Sequence, residues 1–230
     1  MRPVGIGIFI LSTLVLSVCP AHATIIISEF LADPPSGVAG DANGDGITSS
    51  SGDEFVELYN PDLQPADLSG WSLHDAISSR HVFANGTFLG TKAFAVIFGA
   101  GTMPAGKTNW FTASSGQLSL NNTGDTISLL NTQGTLIDSV QYGSEGGKDQ
   151  SLARSPLLPT GTFYLHTSLP QSNSLLYSPG FSLEEISHEP TPTPTAAVPE
   201  MPNLLLWIAA GAFFIVVQLI KTYGCCPRLE

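Results

Sequence analysis

What most constrains this chain is a string of short runs rich in Val, Ile, Phe, Thr and Tyr, each closed off by turn residues: "TIIISEFL", "EFVELYN", "GWSLHD", "RHVF", "AFAVIFG", "DTISLLN" and "TLIDSVQYG". Such runs suit strands, because β-branched and aromatic side chains pack on a pleated surface while Gly, Pro, Asn and Asp make the turns. No apolar period of 3.6 lasts long enough for a soluble helix. The body of the chain therefore reads as all-β, with about seven to nine short strands in an antiparallel sandwich. The clearest hairpin is "DTISLLNTQGTLIDSVQYG", turning at Asn131-Thr132-Gln133-Gly134. Its second strand alternates imperfectly: Leu136, Asp138, Val140 and Tyr142 share one face, and Ile137, Ser139 and Gln141 the other.

The two ends read differently. Arg2, an apolar run over 4–18 and "CPAHA" with Ala21 and Ala23 before the cut give a secretory signal peptide over residues 1–23. A lipoprotein reading through Cys19 meets bulky Val18 where a small residue is favoured. Near the other end, residues 202–220, with Gln218 as their one strongly polar member, approach the roughly 17–25 apolar residues that span a bilayer. Lys221 and Arg228 follow, so the positive-inside rule leaves the tail, 221–230, in the cytoplasm and the body outside it, at the cell surface or in the periplasm. Between body and membrane, residues 183–201 include "HEPTPTPTAAVPE", whose alternating Thr and Pro favour an extended stalk. Val198-Pro199-Glu200, the apolar run and the basic tail resemble PEP-CTERM sorting tails, which implies processing by an exosortase-type enzyme. Met201 before Pro202 and the scattered Lys221 and Arg228 depart from that pattern, and a plain single-pass anchor is the other reading.

The three cysteines, Cys19, Cys225 and Cys226, all fall outside the exported part. That part has no disulfide and needs a core of adequate size. Cys225 and Cys226 stand where lipidation or simple reduced thiols are expected. Residues 24–200 carry 18 acidic and 5 basic side chains, a net charge of −13. Phosphate backbones would be repelled, which argues against nucleic acid as a ligand.

"IIISEFLADP", "DEFVELYNPDLQPADLSGWSLHD", "RHVF", "AFAVIF" and the hairpin, then "SLARSP" and "YSPGFS", together resemble a bacterial lamin tail domain over residues 24–182. The resemblance implies an immunoglobulin-like β-sandwich used as a module on secreted and surface proteins. The residues agree with it: Asn60-Pro61 ends a strand, Asn60 caps the turn, Leu63 and Leu68 tuck inward, Gly70 allows a tight corner, and Trp71 brings an apolar body to bury.

Chemistry is sparse. No Gly-x-Ser-x-Gly elbow or His-Glu-x-x-His motif occurs, and His74, His81, His166 and His188 are scattered. His74 and His81 are close enough in sequence to meet across a hairpin, with separate surface positions the plainer reading. Trp110 and Phe111 would suit carbohydrate stacking if both faces were free, against the usual fate of burial. "ANGT" and "NNTG" are read as hairpin turns.

The richest stretch is "DANGDGITSSSGDEFVELYN". Calcium takes about six to eight hard oxygens, and an EF-hand loop offers them at alternate positions with Gly at the sixth. Asp41, Asn43, Asp45 and Gly46 fall in those places, with Ile47 offering its carbonyl and Ser49 next. The twelfth position is Gly52, without a side chain, and no helix flanks the loop, so an EF-hand is refused. The expectation is a structural calcium loop closed by Asp53 or Glu54, with Asp33 a further candidate. Asp53 shares a strand face with Phe55 and Glu57; Glu54 shares one with Val56 and Leu58.

The favoured function is a non-enzymatic surface module that binds an extracellular protein or polysaccharide, or builds matrix. The alternative is a calcium-dependent hydrolase or carbohydrate-binding protein with its site on the sandwich loops.

Overall fold

The computed structural model describes residues 24–183. The expected signal peptide, the stalk after its first residue, the apolar run 202–220 and the tail lie outside the described residues. Among the described residues no helix is long and apolar enough to cross a membrane. The described residues form twelve strands: β1 (Ile26–Leu31), β2 (Phe55–Tyr59), β3 (Ala66–Asp67), β4 (Ser72–His74), β5 (Ser79–Val82), β6 (Phe88–Leu89), β7 (Phe94–Phe98), β8 (Trp110–Thr112), β9 (Asp125–Leu130), β10 (Leu136–Tyr142), β11 (Leu152–Ser155) and β12 (Thr162–Leu165).

A six-stranded sheet runs β12-β11-β1-β2-β7-β8 and a four-stranded sheet β10-β9-β4-β5, with β3 and β6 as a small separate pair. The architecture is all-β and consistent with an immunoglobulin-like sandwich. The expected purely antiparallel pairing needs one correction: β7 and β8 are parallel. The Gly- and Pro-containing connection between them, residues 99–109, carries the chain back to the start of β7 before β8 begins, which a tight hairpin would not do.

The main core lies between the sheets. Ile27, Phe30, Val56, Leu58, Ala95 and Ile97 meet Leu73, Ile127, Leu129, Val140 and Tyr142 of the facing sheet. Leu68 is buried as expected, while Leu63 is 79% exposed on its turn. The Asn60 side chain holds that turn without it, donating to the carbonyls of Gln64, Leu89 and Gly90. The imperfect alternation of β10 has a physical cause in a register shift between Leu136 and Asp138. This bulge turns Leu136 out to 57% exposure and lets Ile137 pack against the core.

The six-stranded sheet is also covered on its outer face. All six residues of β1 are buried. A second apolar cluster, Leu31, Ala42, Phe55, Val96 and Phe98, lies there, with Met103, Trp110 and Tyr177 against it. Its covers are the insertion between β1 and β2, which supplies Ala42, and a C-terminal strap, residues 166–182, which supplies Tyr177.

Candidate functional site

The insertion between β1 and β2 holds the candidate cation loop. Asp41 Oδ2 accepts the Gly46 N–H at 2.9 Å, Asn43 Oδ1 accepts the Asp45 N–H at 2.9 Å, and Asp45 Oδ1 accepts the Ile47 N–H at 2.8 Å. Each side chain thus folds the backbone just ahead of it, the habit that suits Asn and Asp to turns. Gly44 and Gly46 supply the positive φ values, +74° and +86°, that this winding needs. Asp53 is fully buried and closes the loop from its far end, accepting the Asn43 N–H at 3.1 Å and the Ser49 N–H at 2.7 Å. The β7–β8 connection braces the other side: Asn43 Nδ2 donates to the Ala100 carbonyl, and the Thr102 N–H donates to Asp45 Oδ2.

Electrostatics leave this loop incomplete. Burial raises the Asp53 carboxyl above its ordinary range; Asp41 adds to that, and the N–H groups of Asn43 and Ser49 work against it. Asp41 Oδ1 is buried and has no hydrogen-bond partner. Ile47, expected to offer its carbonyl, sits at an exposed corner.

Of the two acids proposed to close the loop, the structure brings only Asp53 to it. Glu54 leaves the chain on the other side, as the alternation of a strand dictates, and its Oε2 accepts the Leu120 N–H at 3.2 Å. Burial pushes its carboxyl up to about 7, although the N–H groups of Leu120 and Ser119 and the charge of Arg80 pull the other way. Asp33 is likewise turned elsewhere, accepting from Asn122 Nδ2 at 2.6 Å. Among the described residues no three His, Cys, Asp or Glu side chains are arranged to hold a metal ion. The side-chain oxygens of Asn43, Asp45 and Asp53 accept N–H groups of the chain, which leaves Asp41 Oδ1 as the loop's buried oxygen without a donor.

The histidines stay apart. His81 is buried with its ring against Phe83 and Phe111, its Nδ1 facing the Thr112 carbonyl at 3.1 Å, while His74 pairs with Ser72 Oγ. Trp110 and Phe111 also separate: Phe111 packs toward the main core, and Trp110 lies on the outer face beneath the Lys107 ammonium, 4.3 Å from its ring centroid.

The sequence reading overlooked a buried polar network under the strap. Glu29 and Glu57 are partners in the β1–β2 register, 2% and 1% exposed. Glu29 accepts from Ser151 Oγ at 2.6 Å, from the Ser178 N–H at 2.8 Å and from Ser178 Oγ at 2.7 Å. Glu57 pairs with Ser28 Oγ at 2.6 Å and accepts the Gly180 N–H at 2.6 Å. His166 Nε2 stands 2.9 Å from Ser178 Oγ and its Nδ1 faces the Leu175 carbonyl at 2.7 Å. The order of contacts is not that of a nucleophilic triad, since the carboxylate bonds the serine and not the ring. A sign was present in the sequence: each glutamate stands amid apolar residues, in "IISEFL" and "FVELY".

A family model, Lamin Tail Domain, matches residues 20–144, more than half of the chain. The chain belongs to the lamin tail domain family. No curated protein matches it. The match ends just after β10, whereas in this lamin tail domain the six-stranded sheet takes two more strands, β11 and β12, from beyond it. The strap, with its His166 and Ser178, and the neighbouring Ser151 also lie past the matched residues.

Proposed function

We propose that this lamin tail domain is a non-enzymatic surface module, exported by its N-terminal segment and anchored through residues 202–220. It binds an extracellular protein or polysaccharide, or contributes to matrix, and its β1–β2 insertion is a structural calcium loop. The tail is either cut by an exosortase-type enzyme or retained as a plain anchor, and residues 183–201 form the stalk before it. The observation that carries the calcium reading is the buried, unpartnered Asp41 Oδ1 in a loop already wound around Asn43, Asp45 and Asp53. A buried anionic oxygen without a donor is costly, and a cation would satisfy it.

Among the described residues outside the buried Glu29–Glu57 pair, Asp75 and Asp125 are occupied by donors of the chain itself. Asp125 receives N–H groups from Ala76, Asn121 and Thr126, and Asp75 receives Ile77, Ser78 and the Arg80 guanidinium. This favours a binding or matrix module over a hydrolase or sugar-binding site, which would want convergent carboxylates beside free aromatic faces. The test is thermal unfolding of the full chain in mild detergent, with calcium and with chelator, and a pull-down from extracellular material under both conditions. A calcium level of about 100 times Kd is expected to add about 2.7 kcal/mol. An unchanged midpoint sinks the calcium loop, and recovery of no specific partner in either buffer sinks the binding module.

A further inference from the structure

Two carboxylates side by side in a dry site cannot both ionise cheaply, because each raises the energy of the other's charge and burial penalises both. Glu29 and Glu57 are such a pair. They are neighbours across β1 and β2, and the lid over them is the strap, which contributes three of their hydrogen bonds: two from Ser178 to Glu29 and one from Gly180 to Glu57. We propose that Glu29 and Glu57 form a proton-operated clasp, which keeps residues 166–182 seated on the sheet while the pair holds a proton and unseats them when that proton is lost.

The geometry suits one proton. Protonated at Oε1, Glu57 donates to Ser28 Oγ, whose hydroxyl is free to turn, and still accepts the Gly180 N–H through Oε2. Glu29 accepts three hydrogen bonds, one from Ser151 and two from Ser178. Burial, then the charge of Glu29, drive the Glu57 carboxyl well above the usual carboxylate range, with Ser28 and the Gly180 N–H opposing.

The charged groups facing the pair are few. His166, on the strap, reaches Glu29 Oε1 at 3.8 Å and bonds Ser178. Arg154, from β11, lines the same space but is committed to Asp138 and the Ile27 carbonyl. Lys107 lies over the rings of Trp110 and Phe181. A cavity of about 90 Å³ beside the pair, bordered by Phe94, Leu169, Phe181 and Ser182, gives water a place from which to solvate a second charge. Unseating the strap also lifts Tyr177 from Phe55, on the outer apolar cluster.

The direction follows from linkage. A carboxyl whose folded pKa is raised contributes least when ionised, so the clasp is closed at low pH and loosens as pH rises through that value. Amide hydrogen exchange on the full chain in detergent reads it, with rates corrected for the intrinsic effect of pH. Protection at Ser178 and Gly180 is expected to fall as pH rises above the usual carboxylate range, by up to tenfold per pH unit, the limit for one linked proton, while the amides of β9 hold. Glu57→Gln, neutral at every pH, is expected to flatten that fall. Protection at Ser178 and Gly180 that tracks β9 throughout, or a Glu57→Gln variant that keeps the slope, overturns the clasp. Should that variant not fold, the wild-type comparison with β9 decides alone.

Discussion

Replacing Arg154 with Met tests how the two sheets are joined. Arg154 is 7% exposed, with its Nε donating to the Ile27 carbonyl at 2.7 Å, Nη1 to the Pro159 carbonyl at 3.0 Å and Nη2 to Asp138 Oδ2 at 2.6 Å. Asp138, on the bulged start of β10, also accepts the Ile27 N–H at 2.7 Å, so this pair bridges the edge strand of the four-stranded sheet to β1 and β11 of the other. The guanidinium further lies 4.7 Å over the Phe163 ring. Methionine keeps most of the apolar length, so the loss is electrostatic: a carboxylate without its cation, and the carbonyls of Ile27, Pro159 and Gly161 without this donor. Removing one partner of a buried pair costs about 3–5 kcal/mol. The Asp138 side chain keeps 16% of its exposure, which lets water compensate in part and places the expected loss near the lower end, at about 3 kcal/mol. At about 2–4 °C per kcal/mol for a domain of this size, the melting midpoint drops by about 6–12 °C. Urea unfolding of wild type, Arg154→Met, Asp138→Asn and the double variant measures the coupling. In the Asp138→Asn background the arginine replacement is expected to cost at least about 1 kcal/mol less. A single-variant loss below about 1 kcal/mol, or additive losses, would refute the bridge.

Two further outcomes follow from the same geometry. Because burial lifts Glu54 from 4.5 to about 7, its contribution to stability falls as pH rises across that window, by about 3 kcal/mol at most at about 1.4 kcal/mol per pH unit; Glu54→Gln should remove this slope and stabilise the domain above pH 7, as denaturation at low and high pH would show. Gly101 holds φ at +101° against Asn43 Nδ2 and Asp45 Oδ2, so Gly101→Ala should cost about 1–3 kcal/mol in a melting assay and abolish any calcium-dependent shift, while an unchanged melt would separate this bend from the loop.

Local chemistry made much of the fold legible in the sequence. Each of the seven apolar runs became a strand, because β-branched and aromatic residues between turn formers leave the backbone few alternatives. The loop was legible for the same reason: Asp41, Asn43 and Asp45 bond the backbone two to five residues ahead, an arrangement that needs no distant partner. The strands that escaped were those whose residues declare nothing alone. β11 and β12, "LARS" and "TFYL", are too short and mixed to show a period, and they are strands because β1 offered an open edge to pair with.

Faces were readable and covers were not. Alternation put Asp53, Phe55 and Glu57 on one side and Glu54, Val56 and Leu58 on the other, and the structure keeps that division. Which side meets the β1–β2 insertion was decided by a chain that returns 100 residues or more later, when Tyr177 donates to the Ala39 carbonyl, and Ser178 and Gly180 settle on Glu29 and Glu57. Period, turn and charge are properties of neighbours along the chain, so sequence alone determined the seven strands with apolar runs, the winding of the loop and the absence of thiols from residues 24–200. Burial of a carboxylate depends on what packs over it from far away in sequence. Only the tertiary structure could therefore turn two strand glutamates into a clasp, bring Asp53 and not Glu54 to the insertion, and lay a lid over the outer face of the larger sheet.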